Sequence, residues 1–381
     1  MSRLRVGLLY TFNPVWTGGL IYLQNIVNVL GFLPEAERPS IIVYYKPSLK
    51  AVVEELQYSD LRLQEIDYPG IFTGTLKSAL TQKNCFIDSV WERRDVDVLF
   101  PVKDMPMPSA ANTVAWFADL QHRHYPDFFS LTTRWGREAR LRLMLRNCSQ
   151  LVVSSQSVVS DLTKFYRIPE TLKISVYRFV SPINRLPAQE VEAVLDKRKL
   201  KAPFFLISNQ FHNHKNHSKA LEAFGLAKGS LGDCMLLMTG RLPGKHESSY
   251  IQELHRIIDK FDLSDRVKFL GLIPRGEQIA LMQSSLSVIQ PSLFEGWSTV
   301  IEDAKSLQVK VIASDLPVHR EQLGESALYF DPKDAEALSR LLIRAARSSE
   351  DNLPPRYRPM EQRAKASADQ LLRCLSWRRD S

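Results

Sequence analysis

A chain of 381 residues, 44% hydrophobic and 24% charged, is long enough for two domains that each bury a core, and too well mixed for a fibrous or disordered protein. Its 50 basic against 42 acidic residues leave a formal charge of +8, which suits a partner with phosphates: a nucleotide, a nucleic acid or an anionic lipid. No run approaches the ~20 apolar residues of a membrane span, and Cys85, Cys148, Cys234 and Cys374 lie far apart without C-x-x-C spacing, which excludes a zinc ribbon or disulfide framework and fits a reducing cytoplasm.

The chain opens on RVGLLY, too short for a signal core and without a small-residue cleavage site, so it reads as a buried strand. In NPVWTGGLIYLQNIV, Gly18 and Gly19 sit at a strand-to-helix turn, and helical periodicity runs from Tyr22 to Leu33. IIVYY, VDVLF and TVAWF are the next strands. The third leads into WFADLQHRHYPDFFS, where Asp119, Gln121, His122 and His124 crowd a strand end. Such a cluster is either a polar loop with a capping aspartate or the acceptor side of a cleft, with a histidine orienting a hydroxyl or stabilising charge. TRWGREARLRLMLRNCSQ then interleaves Arg134, Arg137, Arg140, Arg142 and Arg146 with Trp135, Leu141, Leu143, Met144 and Leu145. A basic amphipathic helix over 134–146 either lies on anionic lipid or packs as a solvated helix on its sheet. QLVVSS and ISVYRF complete six strands, and Ser154 and Ser155 either cap a helix or border the cleft.

SPINRLPAQEV, with two prolines and little periodicity, reads as a linker. It divides a first domain, 1–182, from a second, 183–355, and a last helix over Met360–Trp377 in the tail 356–381 is expected to return to the first. The second half repeats the alternation with FFLISN, CMLLMTG, VKFLG, LSVIQPS, KVIASD and ALYF, separated by helical patterns such as His217–Ala227. Repeated β-α alternation means parallel sheets covered by helices on both faces: an α/β protein of two doubly wound, Rossmann-like domains facing a central cleft, with ligands at the carboxyl ends of the strands.

Two turns in the second half carry charge. LISNQFHNHKNH passes from strand to helix through a polar turn whose Lys215 is a point charge suited to phosphate. Its histidines, His212, His214 and His217, have no known zinc spacing and no thiolate nearby, so no metal is expected there. PSLFEGWSTVIEDAKSL has Glu295 and Gly296 at a turn, Ser298 or Thr299 placed to cap a helix, and Glu302 and Asp303 inside it. Free N–H groups at Trp297, Ser298 and Thr299 would meet an anion, with carboxylates on either side for hydroxyls. That pattern fits a diphosphate between two polyols, as in a nucleotide sugar.

This segment resembles the Glu-x7-Glu signature of the retaining, nucleotide-sugar-dependent group 1 glycosyltransferases, the family 4 type with the GT-B fold. Here the second acid is Asp303, one methylene shorter, and Glu302 points about 100° away around the helix. The resemblance implies that Glu295 holds the donor sugar and Asp303 the ribose. It implies that Lys215 meets the diphosphate; Asn209 stands where the family has arginine six residues earlier, which leaves more to the turn backbone and Arg241 of MTGR. Gly18 and Gly19 become the glycine-rich loop approaching the diphosphate, His122 the acceptor-side histidine, and Leu272 and Ile273 the loop whose backbone reads the base. The resemblance further implies transfer of a sugar to an acceptor hydroxyl with retention, by front-side attack and without a metal. The expected setting is cell-surface polysaccharide, lipopolysaccharide or glycolipid synthesis, by a cytoplasmic protein that sits at the inner face of the membrane if the arginine helix touches lipid. The rivals are a GT-B enzyme of another kind, such as a nucleotide-sugar epimerase, and a nucleic-acid-binding protein, for which the charge alone speaks and no motif does.

Overall fold

The computed structural model describes residues 3–200, 203–242, 249–347 and 357–376. The chain divides into two compact units, the first running to Pro182 and taking up the C-terminal segment from Glu361, the second spanning Ile183–Met360.

The first unit is built on seven parallel strands: β1 (Arg5–Tyr10), β2 (Ser40–Tyr45), β3 (Leu61–Glu65), β4 (Val98–Val102), β5 (Thr113–Trp116), β6 (Gln150–Val153) and β7 (Lys173–Val176), in the order β3-β2-β1-β4-β5-β6-β7. Six of these are the apolar runs of the sequence. The seventh, β3, is not legible there: LRLQE holds two apolar residues, and Leu63 is 40% exposed because the strand pairs only with β2 at the sheet edge. β1, β2 and β4 are buried almost throughout, as strands covered on both faces must be.

The first helix begins at Thr17, so Gly18 and Gly19 lie in its first turn. A Cβ on Gly19 would come within 2.4 Å of the Trp16 indole, which lies over this turn and stacks on Trp116 at 5.9 Å. Room for an indole is therefore one physical requirement for glycine here. The helix Met360–Leu375 belongs to this unit. Gln150 donates to the Cys374 carbonyl at 2.7 Å, Ser367 to the Tyr177 hydroxyl at 3.2 Å, and the Arg178 amide to Gln370 at 3.0 Å.

The second unit has six parallel strands: β8 (Phe204–Ser208), β9 (Met235–Thr239), β10 (Val267–Gly271), β11 (Ser287–Gln290), β12 (Val311–Ser314) and β13 (Leu328–Phe330), in the order β10-β9-β8-β11-β12-β13. The chain winds outward one way from β8 and the other way from β11, so the switch point, where open α/β sheets bind ligands, lies at the carboxyl ends of β8 and β11. The turns after these strands are Asn209–Asn216 and Pro291–Ser298, the two polar segments singled out above. Gly240, just past β9, has a φ of +146°, and a Cβ there would stand 2.1 Å from the Asn209 carbonyl oxygen. Only glycine lets these two backbones pass so closely. Among the described residues, no helix is long and apolar enough to cross a membrane.

Candidate active site

The turns after β8 and β11 are joined by four bridges. Lys215 Nζ donates to Glu295 Oε1 at 2.6 Å, and Asn209 Nδ2 donates to Gln290 Oε1 at 3.1 Å. Asn216 Nδ2 donates to the Pro291 carbonyl at 3.0 Å, and the Leu293 amide to the His214 carbonyl at 2.7 Å. Asn216 can do this because it adopts the left-handed conformation, φ +57°, that ends the turn and starts the helix His217–Ala227.

Glu295 is the hub. Its Oε1 also accepts from Gln290 Nε2 at 2.8 Å and Ser292 Oγ at 2.7 Å. Burial alone would raise its pKa, but the Lys215 ammonium and the neighbouring His214 outweigh burial and hold it below the ordinary carboxylate range. It is therefore an anion at neutral pH, an acceptor for hydroxyls rather than a general acid. Lys215 spends one of its three N–H bonds on Glu295, and its side chain stays 17% exposed.

The helix Thr299–Ser306 starts as its sequence dictates, with Ser298 Oγ accepting from the Ile301 amide. Of the three amides expected to be free, that of Ser298 is not: Gln322 accepts from the Ser298 N–H at 3.1 Å and donates to the Ser298 carbonyl at 2.9 Å, a side-chain amide standing in for a neighbouring strand. Diphosphate recognition thus falls more heavily on Lys215.

Asp303 is 1% exposed and gives both oxygens to Arg275, at 2.6 and 2.7 Å. Arg275 also donates to Gln278, and Gln278 to Ser208 at the end of β8. A ribose hydroxyl reaching Asp303 would have to share it with this guanidinium. Glu302 is buried too, held by Lys305 at 2.8 Å and Gln322 at 3.1 Å. In the loop after β10, Leu272 is 62% exposed while Ile273 packs on the core, and Arg241, after β9, is exposed.

Of the three histidines, His212 and His214 stack on each other at 5.7 Å, while His217 is fully buried against Phe211 at 4.6 Å. Among the described residues no group of three His, Cys, Asp or Glu could hold a metal ion. His319, fully buried, has its Nδ1 2.8 Å from the Ser314 carbonyl and lies in the field of Glu295.

Burial pushes His217 down to about 3, and burial likewise lowers His122, His212 and His319. The unfolded chain then takes up protons near pH 6.5 that the folded chain refuses, so stability is complete above that pH and is lost on acidification. His217 alone should cost about 1.4 kcal/mol between pH 7.5 and 5.5. Urea unfolding at the two values checks this; an unchanged midpoint would contradict a neutral buried imidazole.

In the first unit, Asp119, Gln121, His122 and His124 do gather after β5: His122 is buried, Asp119 and Gln121 are half-buried, and His124 is exposed. Arg137 donates to Asp119 Oδ1 at 2.9 Å and to His122 Nδ1 at 3.3 Å, which leaves the proton of His122 on Nε2, 3.5 Å from Glu138. The ring is 2% exposed, so the geometry offers neither of its nitrogens to a ligand. His124 Nε2 meets Asp161 at 2.8 Å, and the Asp119 carboxylate accepts from the Gln121 amide. The arginine helix, Leu131–Asn147, packs Leu141, Met144 and Leu145 inward. Arg137, Arg140 and Arg142 pair with Asp119, Asp104 and Glu138, while Leu131 and Trp135 are 68% and 74% exposed.

The family model for glycosyl transferases group 1 matches residues 192–366, which contain both turns. The chain carries a group 1 glycosyltransferase domain. An O-antigen chain mannosyltransferase, RfbU of Salmonella typhimurium, is 24% identical over 280 residues, 71% of this chain and 73% of that protein. HepE of Anabaena, solved with UDP and glucose, superposes with a TM-score of 0.69 at 16% identity over 99% of both chains. A glycosyltransferase of Rickettsia africae gives 0.65 at 16% identity, over 100% of this chain and 98% of that one. These structural matches carry the fold: two doubly wound α/β units of the GT-B type.

Within this glycosyltransferase, Gln290, Ser292, Gln322 and Arg275 escaped the sequence reading. Gln290 left a signal, a polar side chain at the end of an apolar strand. The others are ordinary residues on helices or turns whose partners lie 3 to 28 positions away in sequence.

Proposed function

We propose that this glycosyltransferase transfers a sugar from a nucleoside diphosphate sugar to an acceptor hydroxyl with retention, in the assembly of a cell-surface polysaccharide or glycolipid. The observation that carries the reading is the Lys215–Glu295 pair at the switch point of the second unit: a cation for the leaving diphosphate beside an ionised carboxylate for the sugar hydroxyls. The O-antigen mannosyltransferases among its relatives, RfbU and mannosyltransferase B of Escherichia coli, support the setting, and HepE with UDP and glucose supports the donor class.

In this reading Glu295 accepts from the donor sugar, Lys215 and the turn backbone stabilise the charge that develops on the diphosphate, and the departing phosphate takes the acceptor proton. Lys215 then does what a divalent cation does in other transferases, so turnover should persist in EDTA; its loss there would argue for a metal. Nucleotide release from UDP-sugars, and then GDP-sugars, with and without acceptor sugars, tests the reaction. Release that depends on an acceptor supports transfer, while conversion of the donor without any acceptor would support an epimerase instead.

Membrane contact through the exposed Leu131 and Trp135 and the basic residues beside them belongs to the same reading. The full chain should sediment with liposomes containing anionic lipid and less with neutral ones; equal sedimentation contradicts this contact.

A further inference from the structure

The first sheet has its own switch point, between β1 and β4, and two lysines that no part of the reaction above uses stand around it. Lys46 follows β2 and Lys103 follows β4. Lys103 Nζ donates to the carbonyl of Thr11, just past β1, at 2.8 Å. It lies 5.5 Å from the centre of the Phe12 ring and 5.7 Å from that of Tyr68, and Lys46 Nζ lies 4.9 Å from the same tyrosine. The carboxylate nearby, Asp104, is already committed: Tyr68 donates to it at 2.8 Å and Arg140 meets it at 3.1 Å. Lys46 and Arg140 thus both bear on Lys103, and both lysines on that single carboxylate, with neither lysine in an ion pair among the described residues and both partly exposed.

We propose that Lys46 and Lys103, with Tyr68 between them, form an anion-binding subsite that receives an acidic group, phosphate or carboxylate, of the acceptor. Two ammonium groups sharing one ring repel each other, and an anion between them removes that repulsion. Burial already draws Lys103 down to about 8, and Lys46 and Arg140 add to the effect. A bound anion offsets that penalty on the charged form. The crevice outside the carboxyl ends of β1 and β4 is also where a doubly wound sheet takes its ligand. The acceptor assignment rests on the transferase reading above; the anion site itself does not.

Calorimetric titration of the full chain with inorganic phosphate, inorganic pyrophosphate and glucuronate tests it. All arms carry Lys215→Ala, so that the donor turn contributes no anion site. Binding is expected, weakened at least tenfold when Lys46→Met or Lys103→Met is added, with the far-UV spectrum unchanged. Lys46 keeps the test open if the Lys103 variant fails to fold, because its Nζ makes no hydrogen bond among the described residues. Tighter phosphates point to a phosphorylated acceptor and tighter glucuronate to a uronic acid. No binding at millimolar concentration, or binding that ignores both lysines, overturns the proposal. Nucleotide-sugar affinity of Lys46→Met in the otherwise native chain, expected to be unchanged, separates this failure from failure of the donor reading.

Discussion

Lys215→Ala should lower the turnover number about 10²–10³-fold, and Glu295→Ala should do the same, while both variants unfold cooperatively. The reason is the charge that appears as the sugar–phosphate bond breaks. An ammonium fixed in place before the reaction stabilises that charge without reorganising, and Lys215 is fixed, because Glu295 holds it at 2.6 Å. Glu295 is fixed in turn by Gln290 and Ser292. Removing the carboxylate frees the ammonium and also deprives the sugar of its acceptor. Lys215→Arg should rescue little, since a planar fork does not replace a point charge between Glu295 and a phosphate. Steady-state rates with a saturating donor check the pair, and near-normal turnover in both variants would contradict this site.

The second large effect is on stability. Arg275→Met should destabilise the protein by about 3 kcal/mol, because it strands the buried carboxylate of Asp303 without its partner. Asp303→Asn should cost less: the guanidinium it releases keeps 35% of its side chain exposed, where water can reach it. The double variant Arg275→Met, Asp303→Asn should recover most of the loss, since no buried charge remains. Urea midpoints decide, and a single Arg275 variant within about 0.5 kcal/mol of the parent would show the pair to be idle.

These two pairs mark the limit of what the sequence reveals. Strand and helix alternation is legible because buried parallel strands are continuous apolar runs, and β3 escaped because an edge strand need not be one. Glu295 and Lys215 are legible because charged residues at a strand-to-helix turn stand out against apolar flanks. What each charge is doing is not legible. Nothing in the linear order says that Arg275 reaches Asp303 across 28 positions, that Gln322 occupies the amide of Ser298, or that Arg137 turns His122 inward. Such contacts are set by tertiary packing, and a single sequence records each partner without recording the pairing. The two lysines around Tyr68 are the same case: each follows a different strand, and only the sheet order brings them together.

A structure of the protein soaked with a nucleoside diphosphate sugar tests the central claim most directly. The account predicts phosphate oxygens within hydrogen-bonding distance of Lys215 Nζ and sugar hydroxyls on Glu295, over the carboxyl ends of β8 and β11. A donor bound away from both turns, with the Lys215–Glu295 pair untouched, would contradict it.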